Sequence, residues 1–246
     1  MEFNADEIKK LKLSSSAFNL KLMGKNDIQA ITCTLKNIDD GLVDISQVDD
    51  TLVVSITEKG SVIRTIWNSN EKRQIKICVP NGKVFEQIKI DAGVGVTKIK
   101  DITTEKLRVN CGVGMCRLLR VYSNEKTKIS AGVGKVQAKN CSWDNMKLSG
   151  GVGLFQFAGN LTGDIFVSGG IGKVELTLHA DKNDYEIYSK SSFFDTVRID
   201  GVSGKLYKNK TDHANAPNEL HLSGGLGTID VRFKPDEETK TTETDS

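Results

Sequence analysis

From about Ile88 onward, apolar and polar residues alternate along the chain, and the alternation is broken at a near-constant interval by a Gly-(Val/Ile/Leu)-Gly triplet. The triplets begin at Gly93, Gly112, Gly132, Gly151, Gly170 and Gly225, with spacings of 19, 20, 19 and 19 residues and then a gap of 55, close to three periods. Alternation with period two marks a strand with one buried face. Five residues before each first glycine stand Ile88, Leu107, Thr127, Met146, Ile165 and Leu220, and three before it stand Ile90, Val109, Ile129, Leu148, Val167 and Leu222. Only Thr127 departs from the apolar character of these two columns.

The residue before each triplet is small (Ala92, Cys111, Ala131, Gly150, Gly169, Gly224), and the triplet itself holds Val94, Val113, Val133, Val152, Ile171 or Leu226. Six residues after the first glycine come Ile99, Leu118, Ala138, Phe157, Leu176 and Val231. Together these columns predict a common interior. A repeat this short cannot bury its apolar face alone, so equivalent positions are expected to stack at about 4.8 Å per layer. The paired glycines would let the backbone turn sharply at a crowded corner. The expected fold is all-β: a single-stranded parallel β-helix, or β-solenoid, with rungs of roughly 19 residues. Antiparallel hairpins are the weaker alternative, because they need no fixed period of this length.

One domain is expected over residues 1–235, with irregular N-terminal rungs or a cap in 1–80, regular repeats in 81–178, and degenerate rungs, a loop and a last rung in 179–235. Strand-like runs at Leu52–Ile56 and Ile75–Val79 fit the irregular start, where an atypical end would protect exposed strand edges. Thr103–Lys106 and Ser123–Lys126 read as outward turns, and Lys208–Asn218, with Asn209, Asn215 and Pro217, reads as an exposed loop. Residues 236–246 read as a disordered acidic tail.

Composition supports the pattern: glycine is high at 23, proline low at 3 and aromatics only 6%, which suits short strands and tight turns better than packed helices. The balance of 34 basic against 32 acidic residues gives no global field, so any electrostatic argument must be regional. The charged stretch Met1–Ser16 is unlike a secretory signal, and no apolar run is long enough to span a membrane. On that ground a cytoplasmic location is expected. Cys33, Cys78, Cys111, Cys116 and Cys141 form no CxxC pair and have no histidine at zinc spacing, so buried free thiols are expected.

The run Ile75-Lys76-Ile77-Cys78-Val79-Pro80-Asn81-Gly82, followed by Ile88-Lys89-Ile90-Asp91-Ala92-Gly93-Val94-Gly95, resembles the putative-adhesin family of bacterial β-strand-repeat proteins. The end of the chain is similar too, with Tyr185-Glu186-Ile187, Val197-Arg198-Ile199-Asp200-Gly201 and the run from Leu220 to Val231. The likeness spans residues 40–233 and implies a β-helix-like fold, an adhesin-like binding role and a place at the cell envelope. It offers no catalytic positions.

The residues themselves argue against chemistry. Gly-x-Gly without a third glycine and a following helix makes neither a dinucleotide fingerprint nor a phosphate loop, and Val136 and Val174 stand where a phosphate loop would continue. Gly169–Gly172 and Gly224–Gly227 start like a calcium-binding repeat, but Val174 and Ile229 replace the carboxylate. His179, His213 and His221 are scattered, Asp195 and Asp200 read as a solvated pair, and an enzyme cleaving acidic polysaccharides is the least favoured reading. No catalytic, cofactor-binding or metal-binding residue is expected, and no cofactor.

One outward column stands out. Lys89, Arg108, Lys128 and Lys147, then Phe166 and His221, lie four residues before the first glycine, and Lys106 and Lys126 lie two residues earlier. Stacked, these six cations form a stripe that reads either as a solvated face partly neutralised by Glu105 and Glu125 or as a contact surface for an anionic polymer, either of which offsets the mutual repulsion. With no aromatic platform interleaved, nucleic acid is disfavoured and an anionic envelope polymer fits better. The expected role is therefore a non-enzymatic binding or assembly scaffold, with self-association as the alternative.

Overall fold

The computed structural model describes residues 1–56, 73–190, 196–203, 208–209 and 216–235. They are almost entirely β-strand, and the helical turns among the described residues are two short 3-10 segments, Asp40–Leu42 and Lys182–Asp184. The expectations for Asp195, His213 and the 236–246 tail fall outside the described residues, as does most of the Lys208–Asn218 loop.

The repeats lie on one another in parallel and in register. Val152–Thr162 pairs with the run before it so that Val152 meets Val133 and Gly153 meets Gly134, and with the run after it so that Val152 meets Ile171 and Gly153 meets Gly172. The first three repeats belong to one extended run, Val84–Asp144, of 61 residues. Two positions in each repeat take a positive φ. At the triplet, the second glycine takes φ near +130°, as at Gly114 (127°) and Gly134 (127°). Eight residues after the first glycine, the left-handed region is taken by Asp101 (56°), Arg120 (51°) and Asn140 (51°). Asp and Asn enter that region readily, and Arg does so rarely. At Arg120 the corner is tied by Nε donating to Asp101 Oδ1 at 2.5 Å, and this bond holds the Asp101 carboxyl below the usual carboxylate range.

Inside, the columns read from the sequence are buried: Ile88, Val109, Ile129, Met146, Ile165 and Leu220 are almost fully excluded from solvent, with Leu118, Phe157 and Leu176 facing them. Trp143 is among the largest fully buried side chains, packed at 4.9 Å against Phe157, its indole N–H donating to the Val121 carbonyl. All five cysteines are buried free thiols, and burial pushes Cys33 and Cys141 up to about 11. Thr127, the polar member of its column, is fully buried, and its Oγ1 has no partner among the described residues.

Three features differ from the expectation. The middle residue of each triplet is not interior: Val94, Val113, Val133, Val152, Ile171 and Leu226 are 46–59% exposed. Flanked by two glycines at a corner, that side chain is carried off the outside of the turn, while its small predecessor closes the inside. Thr104 and Ser123 are not outward turn residues. They are buried in a third side of the stack, where their hydroxyls donate to the carbonyls of Phe85 and Glu105. Polarity misleads there because a bonded hydroxyl is tolerated inside.

Third, the gap of 55 residues between the last two triplets does not count three stacked repeats. Leu226–Phe233 pairs directly with Ile171–Leu178. The intervening Tyr185–Lys190 and Thr196–Ile199 lie beyond it, on Asn218–Ser223 and Leu226–Phe233. The N-terminal end is arranged alike. Lys10–Ser14 and Asn19–Lys25 are inserted between the first regular repeat and the outer strands Thr51–Ile56 and Gln74–Pro80. Antiparallel partners then cover the outer strands: Val43–Val48 on Thr51–Ile56, Ala30–Lys36 on Gln74–Pro80, and Val202–Ser203 on Thr196–Ile199. The sheet is therefore mixed, parallel through the middle and antiparallel at the ends, where it would otherwise present unpaired strand edges.

Candidate functional site

Four cations of the stripe each sit between two interior residues of a strand, which forces them outward: Lys89 between Ile88 and Ile90, Arg108 between Leu107 and Val109, Lys128 between Thr127 and Ile129, Lys147 between Met146 and Leu148; Lys106 and Lys126 are exposed beside Glu105 and Glu125. Lys128 meets Lys147 and Lys147 meets Phe166 in register. Within the long run, the stacked triplets and the hydrogen bond from Asn110 to Asp91 set Arg108 over Lys89. Lys12 extends the column by one layer, pairing with Lys89. Five cations thus follow one another over roughly 19 Å at about 4.8 Å per layer. Lys12 belongs to the region without triplets, so no sequence signal places it there.

Neutralisation of the stripe is partial. Lys89 reaches Asp91 at 3.2 Å and Lys106 reaches Glu125 at 3.2 Å. Both pairs are solvent-exposed, a setting in which such contacts contribute about 0–1 kcal/mol. Arg108, Lys126, Lys128 and Lys147 have no carboxylate within 4.0 Å among the described residues, and Glu105 pairs with none of the six.

Beyond Lys147 the same column changes character. Phe166 stacks on His221 at 4.6 Å and 8°, and His221 stacks on Tyr188 at 4.6 Å and 5°. His221 Nε2 lies 2.9 Å from Glu219 Oε2. The Tyr188 hydroxyl is pushed up to about 12, first by its hydrogen bond to Glu186. With both faces of His221 covered, this stack offers no open platform to a base. Alongside it, the column that holds Lys106 and Lys126 continues as Asn145, Asp164 and Glu219.

A second outward column, five residues after the first glycine, went unread in the sequence. Lys76, Lys21 and Lys98 pair in succession, Arg117 follows in the next layer, and the column then runs through Gln137, Gln156 and Glu175 to Asp230, which is buried beside Arg232, and on to Arg198. Gln137 donates to Gln156 at 3.3 Å and Gln156 to Glu175 at 2.6 Å. Lys173, at 2.5 Å, holds the Glu175 carboxyl below its ordinary range. The repeat did carry this signal in Lys98, Arg117, Glu175 and Asp230, but only once the column is followed to its end.

The remaining candidates are structural. Amides at the glycine corners already donate to carbonyls of the neighbouring layer, Ile171 to Gly151 and Leu226 to Gly170 at 2.9 Å each, which leaves no cradle for phosphate. Asp200 accepts from the Phe233 amide at 2.9 Å and lies 3.8 Å from Lys182. His179 and His221 do not meet. Among the described residues no cluster of three or more His, Cys, Asp or Glu could hold a metal ion, and no helix is long and apolar enough to cross a membrane.

No family model and no curated protein matches the chain. Among solved structures, the chain is similar to the putative adhesin from Bacteroides fragilis NCTC 9343, at 16% identity and a TM-score of 0.50 over 94% of this chain and 95% of that one. The putative cell adhesion protein from Clostridium sporogenes ATCC 15579 aligns at 16% identity and a TM-score of 0.42 over 95% of this chain and 99% of its own. The likeness is one of fold, and it rests on the first of the two.

Proposed function

We propose that the chain is a single-stranded parallel β-helix that serves as a non-enzymatic, adhesin-like binding scaffold and meets an anionic polymer of the cell envelope along Lys12, Lys89, Arg108, Lys128 and Lys147, with Lys106 and Lys126 beside them. The observation that carries this reading is the uninterrupted register of the cations: one per layer for five layers, four of them without a carboxylate partner among the described residues. Like charges at this separation cost stability. A polymer that repeats its own negative charge offsets that cost along the whole column at once, and it binds chiefly by releasing counterions.

The in-register parallel pairing of the triplets supports the β-helix, and the similarity in fold to a protein named an adhesin is consistent with the role. The test is retention on immobilised heparin and on polyphosphate across a salt gradient, comparing the native chain with a variant carrying glutamate at Lys89, Arg108, Lys128 and Lys147. Salt-sensitive retention that disappears in a variant with an unchanged melting curve is the expected result. Equal retention of the two proteins would overturn the assignment.

A further inference from the structure

The triplet puts an aliphatic side chain on the outside of every regular layer. Around Gly112, Val109 and Cys111 are buried before the triplet and Cys116 and Leu118 after it, so the inward alternation changes phase and the backbone bends around the exposed Val113. The same position holds Val94, Val133, Val152, Ile171 and Leu226, and all six side chains are 46–59% exposed. In-register pairing stacks Val133, Val152, Ile171 and Leu226, and the contacts among Gly95, Gly114 and Gly134 carry the row back to Val94. The result is an unbroken aliphatic edge about 24 Å long, at about 4.8 Å per layer. A glycine stands on either side of each member, so no neighbouring side chain along the strand covers it. Because these side chains point away from the interior, core packing does not account for their character. A contiguous exposed apolar strip marks a surface that meets a partner.

We propose that this edge inserts into the interface of an anionic lipid bilayer, with the stacking axis lying along the membrane surface. Charge selects that partner. One flank of the edge carries Lys98, Arg117, Lys135 and Lys173; the other, beyond a row of small polar residues that includes Ser130, Ser149 and Ser168, carries Lys89, Arg108, Lys128 and Lys147. The carboxylates within five residues of the first glycines are engaged or buried: Asp91 lies 3.2 Å from Lys89, Glu175 lies 2.5 Å from Lys173, and Asp230 is buried beside Arg232. Both flanks are therefore net positive, and an apolar row between basic flanks is the surface that an anionic headgroup layer binds, its aliphatic side chains entering about 5–10 Å. Lys135 and Lys173 stand two residues from Val133 and Ile171. Long basic side chains at that spacing cover apolar surface with their stems while their charges stay among the headgroups. A second copy of the chain would set cationic flanks against cationic flanks, and a soluble polyanion would leave the aliphatic row in water. The contact does not rest on the polymer reading, since the edge carries none of the stripe's charge.

The experiment is co-sedimentation with vesicles of phosphatidylcholine alone and of phosphatidylcholine mixed with phosphatidylglycerol. It compares the native chain, a variant combining Val113→Ser, Val133→Ser and Val152→Ser, and one combining Lys98→Gln, Arg117→Gln and Lys135→Gln, with melting curves to establish folding. The native chain is expected to bind the mixed vesicles and not the neutral ones. The serine variant should bind about tenfold or more weakly, because binding scales with the apolar area inserted, and the glutamine variant should lose about fivefold per cation. Retention of the serine variant on heparin stays at the native level, which separates this contact from the polymer stripe. A polarity-sensitive fluorophore on Val133→Cys shifts to the blue when vesicles are added, and the same probe on Tyr122→Cys, on the third side of the stack, does not; the native thiols are all buried and stay unlabelled. A native chain that ignores the mixed vesicles, a serine variant that binds them equally, or an unshifted probe on Val133→Cys would each overturn the proposal. So would a native chain that dimerises in sedimentation velocity and loses the dimer, rather than vesicle binding, in the serine variant.

Discussion

The first three triplet layers and the last three share one interior and have opposite exteriors. Inside, Ile90, Val109 and Ile129 are continued by Leu148, Val167 and Leu222, all buried, and the glycines of one layer touch the backbone of the next from end to end. Outside, Lys89, Arg108 and Lys128 give way after Lys147 to Phe166 and His221; Lys106 and Lys126 give way to Asn145, Asp164 and Glu219; and Lys98 and Arg117 give way to Glu175, beyond which Asp230 is buried and Arg198 is again an exposed cation. Fold specification is therefore carried by the inward columns and the corner glycines, which leaves the outward columns free to differ between the halves. The outward columns thus change in charge from one half of the triplet layers to the other, over an interior that does not change.

The shared interior can be broken most severely at a corner. A Cβ on Gly132 would overlap the carbonyl oxygens of Cys111 and Gly112, which are backbone atoms that cannot move without displacing a whole layer. Gly132→Ala is expected to cost more than about 4 kcal/mol and to prevent a cooperative melt. Gly41→Ala, with nothing within 4 Å of the added carbon, should stay within about 0.5 kcal/mol of the native chain. Urea titration of the pair separates the two cases. Next in size is Trp143→Ala, which removes a large, fully buried side chain and should cost about 3–5 kcal/mol in the same titration.

Two smaller effects sharpen the comparison. Thr127 occupies a column that is otherwise apolar and leaves a buried hydroxyl unpartnered among the described residues. Thr127→Val keeps the shape, removes the desolvated group and should raise stability by about 1–2 kcal/mol, visible as a higher melting temperature. The smallest effect is at the second corner, where Arg120 lowers the Asp101 pKa. A depressed carboxylate contributes stability above its unfolded pKa and loses it as pH falls through the folded value. Native protein and Asp101→Asn should therefore differ by up to about 1 kcal/mol at neutral pH and converge as the pH falls below the ordinary aspartate range. A pH-independent difference would show that the bond contributes nothing.

The interior was legible in the sequence because burial repeats the same demand at a fixed interval, and Ile88, Leu107, Met146 and Ile165 answer it with the same class of residue. The second corner was not, since Asp101, Arg120 and Asn140 share a backbone conformation but no side-chain type. The triplet valines were misplaced because an apolar residue beside a corner has the same signature whether it points in or out, and only the turn decides. The order of the ends was invisible for another reason: the insertion of Lys10–Lys25 beneath Ile88, and of Asn218–Phe233 beneath Tyr185, depends on pairings remote along the chain that no local pattern records. Of the candidate site, the four central cations were readable from the period. Lys12, Lys21 and Lys76 needed the fold.

The central claim, that binding resides in the exterior of the first half, is tested most directly by the slope of log affinity against log salt for heparin. Two variants remove three cations each: glutamine at Arg108, Lys128 and Lys147, or glutamine at Lys173, Lys190 and Lys234. The net charge of the two is the same, and only the position of the loss differs. The account predicts that the first variant loses about 2–3 units of slope, close to one per contact, while the second stays near the native value. Equal losses in both would mean that the polymer responds to diffuse charge, and the stripe would then be no more than a solvated face.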